Sequence, residues 1–196
     1  MAARYQESQV PPQDGKTVFI TGANTGIGFD TARVLAEKGA RVLLGCRDGP
    51  RAKAAMAAIR QRAPKANLKW IELDLTSLAS VQSASEQVLA EGHLDLLINN
   101  AGVMVPPKTL TQDGFELQFG VNHLGHFALT GQLLPLLKQQ PGARVVTVSS
   151  LAHRGGKIDF DDLQANQSYS RMKRYQMSKL ANILFTLALS EKLAQA

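Results

Sequence analysis

The chain alternates short apolar runs with longer segments in which apolar residues recur every three or four positions. Thr17-Val-Phe-Ile20 is the first such run and predicts a strand. Helical spacing follows over residues 26–38 and stops at Gly39, a residue suited to the left-handed turn that ends helices. Residues 41–45 predict a second strand. Pro50 then opens an Ala-rich helix, since proline is tolerated in a first turn, and Pro64 marks its end. Residues 68–73 read as a third strand, and Ser77 begins a helix to about residue 91. Residues 94–98 read as a fourth strand, apolar apart from Asp95, as expected where both faces are covered. A long helix is expected within 113–140, with Pro135 kinking it or ending its regular part. Residues 144–149 form the fifth strand. A polar stretch to about Arg171 leads into a last helix that reaches the end of the chain.

This is a βα alternation without internal repeats or low-complexity segments. It predicts an α/β fold: a doubly wound, Rossmann-like parallel sheet with strand order 3-2-1-4-5. The 196 residues suit one domain, read as residues 16–196 behind a flexible N-terminal tail of residues 1–15. That tail is polar and carries Pro11 and Pro12, so it lacks the apolar centre of a signal peptide. No apolar run has the length of a membrane span. The lone cysteine, Cys46, has no internal disulfide partner, which fits a cytoplasmic setting. The net charge of +6 raises nucleic-acid binding as a possibility. Its cations at Arg51, Lys53, Arg60, Arg62, Lys65 and Lys69 lie along one helix and the turn after it, without interleaved aromatics to stack on bases. A solvated face, or attraction for an anionic cofactor, accounts for them better, and no nucleic-acid partner is expected.

The strongest local signal is Thr21-Gly22-Ala23-Asn24-Thr25-Gly26-Ile27-Gly28, between the first strand and the first helix. A pyrophosphate needs backbone N–H groups and a helix N-terminus close by, and glycines clear its approach. The spacing is Gly-x-x-x-Gly-x-Gly rather than Gly-x-Gly-x-x-Gly, so the strand–turn–helix setting carries much of the weight. Cofactor choice is expected at the end of the second strand, where an acidic side chain would bind the ribose hydroxyls of NAD. The sequence there is Gly45-Cys46-Arg47, and a guanidinium suits the 2′-phosphate of NADP(H). NADP(H) is therefore preferred over NAD(H), with Asp48 one residue on as the dissenting feature.

Tyr175 and Lys179 are spaced to share one helix face. An ammonium beside a phenol favours the phenolate, which suits the phenol to donate a proton to a carbonyl or take one from an alcohol. Ser149-Ser150 end the fifth strand and Asn99-Asn100-Ala101-Gly102 the fourth, at the sheet edge where ligands bind in such folds. Turn-building alone would explain either pair. His123 and His126 lie three apart, but no further ligand accompanies them, and packing histidines are favoured over a metal site.

Taken together, these motifs with Asp74 and Asn122 closely resemble the short-chain dehydrogenase/reductase family over nearly the whole chain after Lys16. Gly45-Cys46-Arg47-Asp48, Val121-Asn-His-Leu-Gly-His126, Val148-Ser-Ser-Leu-Ala-His153 and Ser178-Lys-Leu-Ala-Asn182 are most similar to its retinol-dehydrogenase-like branch, which includes relatives of protochlorophyllide reductase. The resemblance implies an NADP(H)-dependent oxidoreductase that interconverts a small-molecule carbonyl and an alcohol. Tyr175 would be the acid/base, Lys179 its partner and a ribose ligand, Ser150 the group orienting the carbonyl, and Asn122 the holder of a relay water. Gly22, Asn24, Thr25, Gly26, Ile27 and Gly28 would cradle the pyrophosphate and Arg47 the 2′-phosphate. Asp74 and Leu75 would border the adenine, and Asn100, Ala101 and Gly102 the adenosine side and nicotinamide ribose. No catalytic metal is implied. The family continues beyond the last helix through further strands and a substrate loop, and none of these follows Ala196. The last helix is apolar on more than one face, which suggests a fragment or a homo-oligomer formed through the last two long helices. A dinucleotide-binding module without turnover is the competing expectation, and a nucleotide-sugar epimerase a more distant one.

Overall fold

The computed structural model describes residues 5–194, and residues 1–4 of the expected tail and the last two residues of the expected final helix lie outside that range. Five strands, β1 (Thr17–Thr21), β2 (Arg41–Cys46), β3 (Leu68–Glu72), β4 (Leu96–Asn99) and β5 (Arg144–Thr147), form one parallel sheet in the order β3-β2-β1-β4-β5. The register pairs Ile20 with Leu44 on one side and with Ile98 on the other. Six α-helices occur among the described residues: α1 (Gly26–Glu37), α2 (Gly49–Arg62), α3 (Leu78–Leu89), the short α4 (Leu117–Phe119), α5 (Gly125–Lys138) and α6 (Arg171–Ala194).

Strand alternation divides the core between the two faces of the sheet. Val18, Ile20, Val42 and Leu44 point to the layer of α1 and α2, where Ala32, Ala36, Ala52 and Ile59 are buried. Phe19, Leu43, Ile71 and Leu97 point to the other layer and pack with Val81, Val88, Leu129 and Leu133 of α3 and α5. Small residues dominate the first layer, which lets α1 and α2 approach the sheet closely. A third, smaller cluster of Phe119, Met177 and Ala181 fastens α6 to the chain around α4. No helix among the described residues is long and apolar enough to cross a membrane.

The helix expected within 113–140 is found as a continuous helical run from Leu117 to Lys138. It starts only at Leu117, because Asp113 is held to the start of α3, where its carboxylate accepts from the Leu78 N–H at 2.8 Å. Glu116 then caps the turn, accepting from the Gln118 and Phe119 amides. After α4 the chain widens into a π-helical turn, Gly120–Leu124, where the Gly125 N–H bonds to the Gly120 carbonyl. Pro135 does not end the regular helix, which continues to Lys138. Gly131, whose carbonyl that ring displaces from its usual bond, is exposed and open to water.

In the N-terminal segment, Glu7–Gln9 forms a 3-10 turn, and the Arg33 guanidinium reaches the Glu7 carboxylate at 2.6 Å. The Gln13 N–H donates to the Lys38 carbonyl at 2.7 Å.

Candidate functional site

The carboxyl ends of β1, β2 and β4 open onto a groove of about 640 Å³. Gly22 and Gly26 turn the chain from β1 into α1 with φ values of +67° and +55°, the left-handed region that disfavours side chains. Asp48 and Ser77 cap α2 and α3 through their side chains, whereas Thr25 makes no capping bond at α1. The amides at the start of α1 therefore lack a side-chain acceptor on the groove side. Space above Gly26 is open, and a Cβ at Gly28 would collide with the Gly22 carbonyl oxygen. The turn is thus packed from below and bare above, a shape that fits a pyrophosphate against a helix N-terminus.

Gly22, Asn24, Thr25, Ile27, Gly28, Arg47, Asp74, Leu75, Asn100, Ala101 and Gly102, all expected at a nucleotide, line this groove. Gly26 sits within the same turn. Sequence reasoning missed Arg51, Thr76, Val103 and Val121, which line it too. Arg51 stands in the first turn of α2, three residues after its cap Asp48. Arg47 is largely exposed, its guanidinium 4.0 Å from Asp74. Asp48, the dissenting acid, is engaged elsewhere: it accepts from the Arg51 N–H at 2.9 Å and pairs with the Arg51 side chain at 3.4 Å.

Thr21 ties the two strand ends together. Its hydroxyl oxygen accepts from the Asn100 and Ala101 amides at 2.9 and 3.0 Å. The Asn100 side chain returns a bond to the Thr21 carbonyl at 2.9 Å.

Lys179, like Tyr175, Asn122 and Ser150, does not line this groove but lies beside Gly102, which does. It is 4% exposed, and its ammonium donates to the Val148 carbonyl at 3.2 Å. Burial pushes its pKa below the ordinary lysine value. A Cβ at Gly102 would lie 3.6 Å from that ammonium and 3.0 Å from Asn122 Oδ1, so the bare Gly102 leaves room beside both. Tyr175 is half-buried one turn before Lys179, with the ammonium 5.8 Å from its ring centre.

Asn122 is fully buried, and its side chain makes three hydrogen bonds. Oδ1 accepts from the Val103 N–H at 2.8 Å, while Nδ2 donates to the Val103 carbonyl and to Ser178 Oγ, each at 2.9 Å. Ser178, which sequence reasoning missed, also donates to the Tyr175 carbonyl at 2.8 Å. Ser149 donates to the Lys179 carbonyl at 2.7 Å, which fastens the end of β5 to α6. Ser150 is half-buried and opens a 3-10 turn, Leu151–Gly155, that packs on α6. Its hydroxyl accepts only a 3.2 Å bond from the Ala152 N–H, leaving its proton free to donate.

No cluster of three or more metal-ligating side chains occurs among the described residues, His123 and His126 included. His123 packs among Phe119, Phe127 and Phe185, and His126 is buried beneath the turn after β1.

The sequence pattern of a known family, short chain dehydrogenase, matches residues 16–196. Retinol dehydrogenase 14 of Mus musculus is 51% identical over 190 residues, covering 91% of this chain and 57% of that protein. The chain thus spans little more than half the length of this curated relative. Among solved structures, an uncharacterised protein from Mycobacterium paratuberculosis superposes with a TM-score of 0.89 at 45% identity, over 97% of this chain and 67% of that one. The Pseudomonas aeruginosa RhlG/NADP active-site complex superposes with a TM-score of 0.73 at 27% identity, over 94% of this chain and 68% of that one.

Proposed function

The chain belongs to the short-chain dehydrogenase family, and from that premise we propose that it is an oxidoreductase using NADP(H) to interconvert a carbonyl and an alcohol. One observation carries the reading. The groove at the uncapped start of α1 is walled by Gly102, and a Cβ there would lie 3.6 Å from the buried Lys179 ammonium. A long anionic ligand laid on the turn would run toward Gly102 and, behind it, Lys179.

Hydride transfer is the chemistry that the nicotinamide supplies when bound. The remaining work falls to this chain. The α1 amides and the glycine turn hold phosphate, and Arg47 with Arg51 offers two cations to a 2′-phosphate. NADP(H) over NAD(H) is further supported by the engagement of Asp48 in capping α2. Lys179 would donate to the ribose, and Tyr175 would move the proton at the substrate oxygen. Ser150 would donate to that oxygen. Asn122 would hold a relay water.

The similarity to a retinol dehydrogenase makes a retinal-like aldehyde the first substrate to try. The reading includes a reducing, cytoplasmic setting, supported by the buried unpaired Cys46. It also includes self-association through α5 and α6, supported by the exposed Phe127, Leu184 and Leu187. Following NADPH oxidation with retinal, aliphatic aldehydes and ketones tests the activity, with Tyr175→Phe as control. Equal turnover by the variant would overturn the assigned mechanism. A second reading, nucleotide binding without turnover, is favoured by the openness on the substrate side, where Leu151 and Phe160 are 76% and 80% exposed. It requires NADPH binding in a titration and no reduction of any carbonyl in the panel.

A further inference from the structure

His126 joins three parts of the site through one buried ring. The residue is 1% exposed, Nδ1 lies 3.1 Å from the Asn122 carbonyl oxygen, and Nε2 lies 2.8 Å from Thr21 Oγ1. The partners decide the tautomer. A carbonyl oxygen only accepts, so Nδ1 carries the proton. Burial holds the ring's pKa down to about 4, so it is neutral near pH 7 and Nε2 keeps its lone pair. The Thr21 hydroxyl therefore donates to Nε2, a much shorter contact than its alternative, the Ile98 carbonyl at 3.5 Å. With its proton committed, Thr21 Oγ1 turns its lone pairs to the Asn100 and Ala101 amides.

We propose that His126 is a positioning residue of the nucleotide site: its Nδ1–H fixes the Asn122 carbonyl, and its Nε2 aims the Thr21 hydroxyl that holds the Asn100–Ala101 backbone against the glycine-rich turn. The arrangement connects the end of β1, the end of β4 and the π-helical turn that carries Asn122. A ring that merely filled space would leave the Thr21 proton without direction. The hydroxyl would then turn toward the distant Ile98 carbonyl, and the two amides would lose a well-aimed acceptor. The proposal rests on reading the groove as a nucleotide site, and its consequence is that nucleotide affinity depends on a residue that does not line the groove.

Two measurements on the full chain test it. Long-range 1H–15N NMR of the histidine rings at pH 7 reads the tautomer directly: a neutral His126 protonated on Nδ1 is expected, and a ring protonated on Nε2 or on both nitrogens overturns the proposal. The second compares His126→Phe with His126→Gln. Phenylalanine fills similar space with neither donor nor acceptor, whereas glutamine carries both. His126→Phe is expected to speed amide hydrogen exchange at Asn100 and Ala101 and to raise the Kd for NADPH about tenfold, with His126→Gln recovering most of both losses. Wild-type exchange and wild-type Kd in His126→Phe overturn it. Failure of the wild-type chain to bind NADPH defeats the proposed function instead, and the tautomer and exchange readings then still decide the role of His126.

Discussion

Thr21 and His126, 105 positions apart in the chain, meet beneath the glycine-rich turn with Oγ1 and Nε2 2.8 Å apart. Thr21 is completely buried, and its hydroxyl serves two amides and one imidazole at once. Few side chains in the fold have so much depending on a single oxygen. Thr21→Val keeps the shape and removes that oxygen. With buried polar groups left unpaired, the substitution is expected to cost about 2 kcal/mol or more, and Thr21→Ser much less. Urea denaturation measures both, and a valine variant as stable as wild type would contradict the network.

The same ring gives the stability a pH dependence. His126 has a folded-state pKa of about 4, below the ordinary value of 6.5, because burial disfavours its charged form. Above pH 6.5 the ring is neutral folded or unfolded, and its contribution is fully present. As the pH falls from 6.5 towards 4, only the unfolded chain gains the proton, so stability is lost over that window, by about 3 kcal/mol in total. His123 is displaced in the same direction by burial and adds to the slope. Glu91, held below its ordinary pKa by Lys69 and Arg41 despite its burial, extends the loss to lower pH. Denaturant midpoints recorded between pH 7 and pH 4 should therefore fall steadily, and His126→Gln should flatten the curve. A slope unchanged in that variant would show that other groups are responsible.

Cofactor choice is expected to turn on Arg47. Its guanidinium lines the groove and makes only a 4.0 Å contact with Asp74, so it is available to a 2′-phosphate. Arg47→Ala is expected to weaken NADPH binding by on the order of tenfold or more, the size of a charge-assisted hydrogen bond, while leaving NADH nearly unaffected. Arg51→Ala should show a smaller loss of the same kind, since Asp48 already neutralises part of that cation. Fluorescence titration with both nucleotides checks this. Equal weakening of NADPH and NADH would remove the basis for the NADP(H) preference.

Much of this was legible in the sequence because it is encoded locally. Alternating apolar runs, a glycine turn after a strand and right-handed crossovers leave few arrangements of five parallel strands, and the observed order is the expected one. Most of the groove residues were legible for the same reason, since they sit at or just after the ends of strands. What sequence did not reveal depends on contacts between distant segments. Asp113 looks like a helix start until Leu78 claims its carboxylate. Pro135 looks like a helix breaker until its place on the solvent face is known. His126 was weighed only as a metal ligand or packing residue, since nothing near it in sequence points to Thr21. The π-helical turn carrying Asn122 leaves no compositional trace.

Lys179 offers a test in which stability and function should move in opposite directions. Its ammonium is buried with a single carbonyl bond at 3.2 Å, and an ammonium can donate three. The fold therefore holds a charge that its own acceptors do not satisfy, which is costly in a packed interior. Lys179→Met keeps the length of the side chain and removes the charge. It is expected to leave the chain as stable as wild type or more so, by about 1 kcal/mol, in keeping with the trade that strained functional sites make. The same variant should lose NADPH-dependent carbonyl reduction by at least about a hundredfold, the scale on which losing a positioned acid–base partner is felt. Thermal melting and the turnover assay are read on one preparation. A variant that melts well below wild type would show Lys179 to be a structural residue, and the acceptors it needs would then have to be sought within the fold.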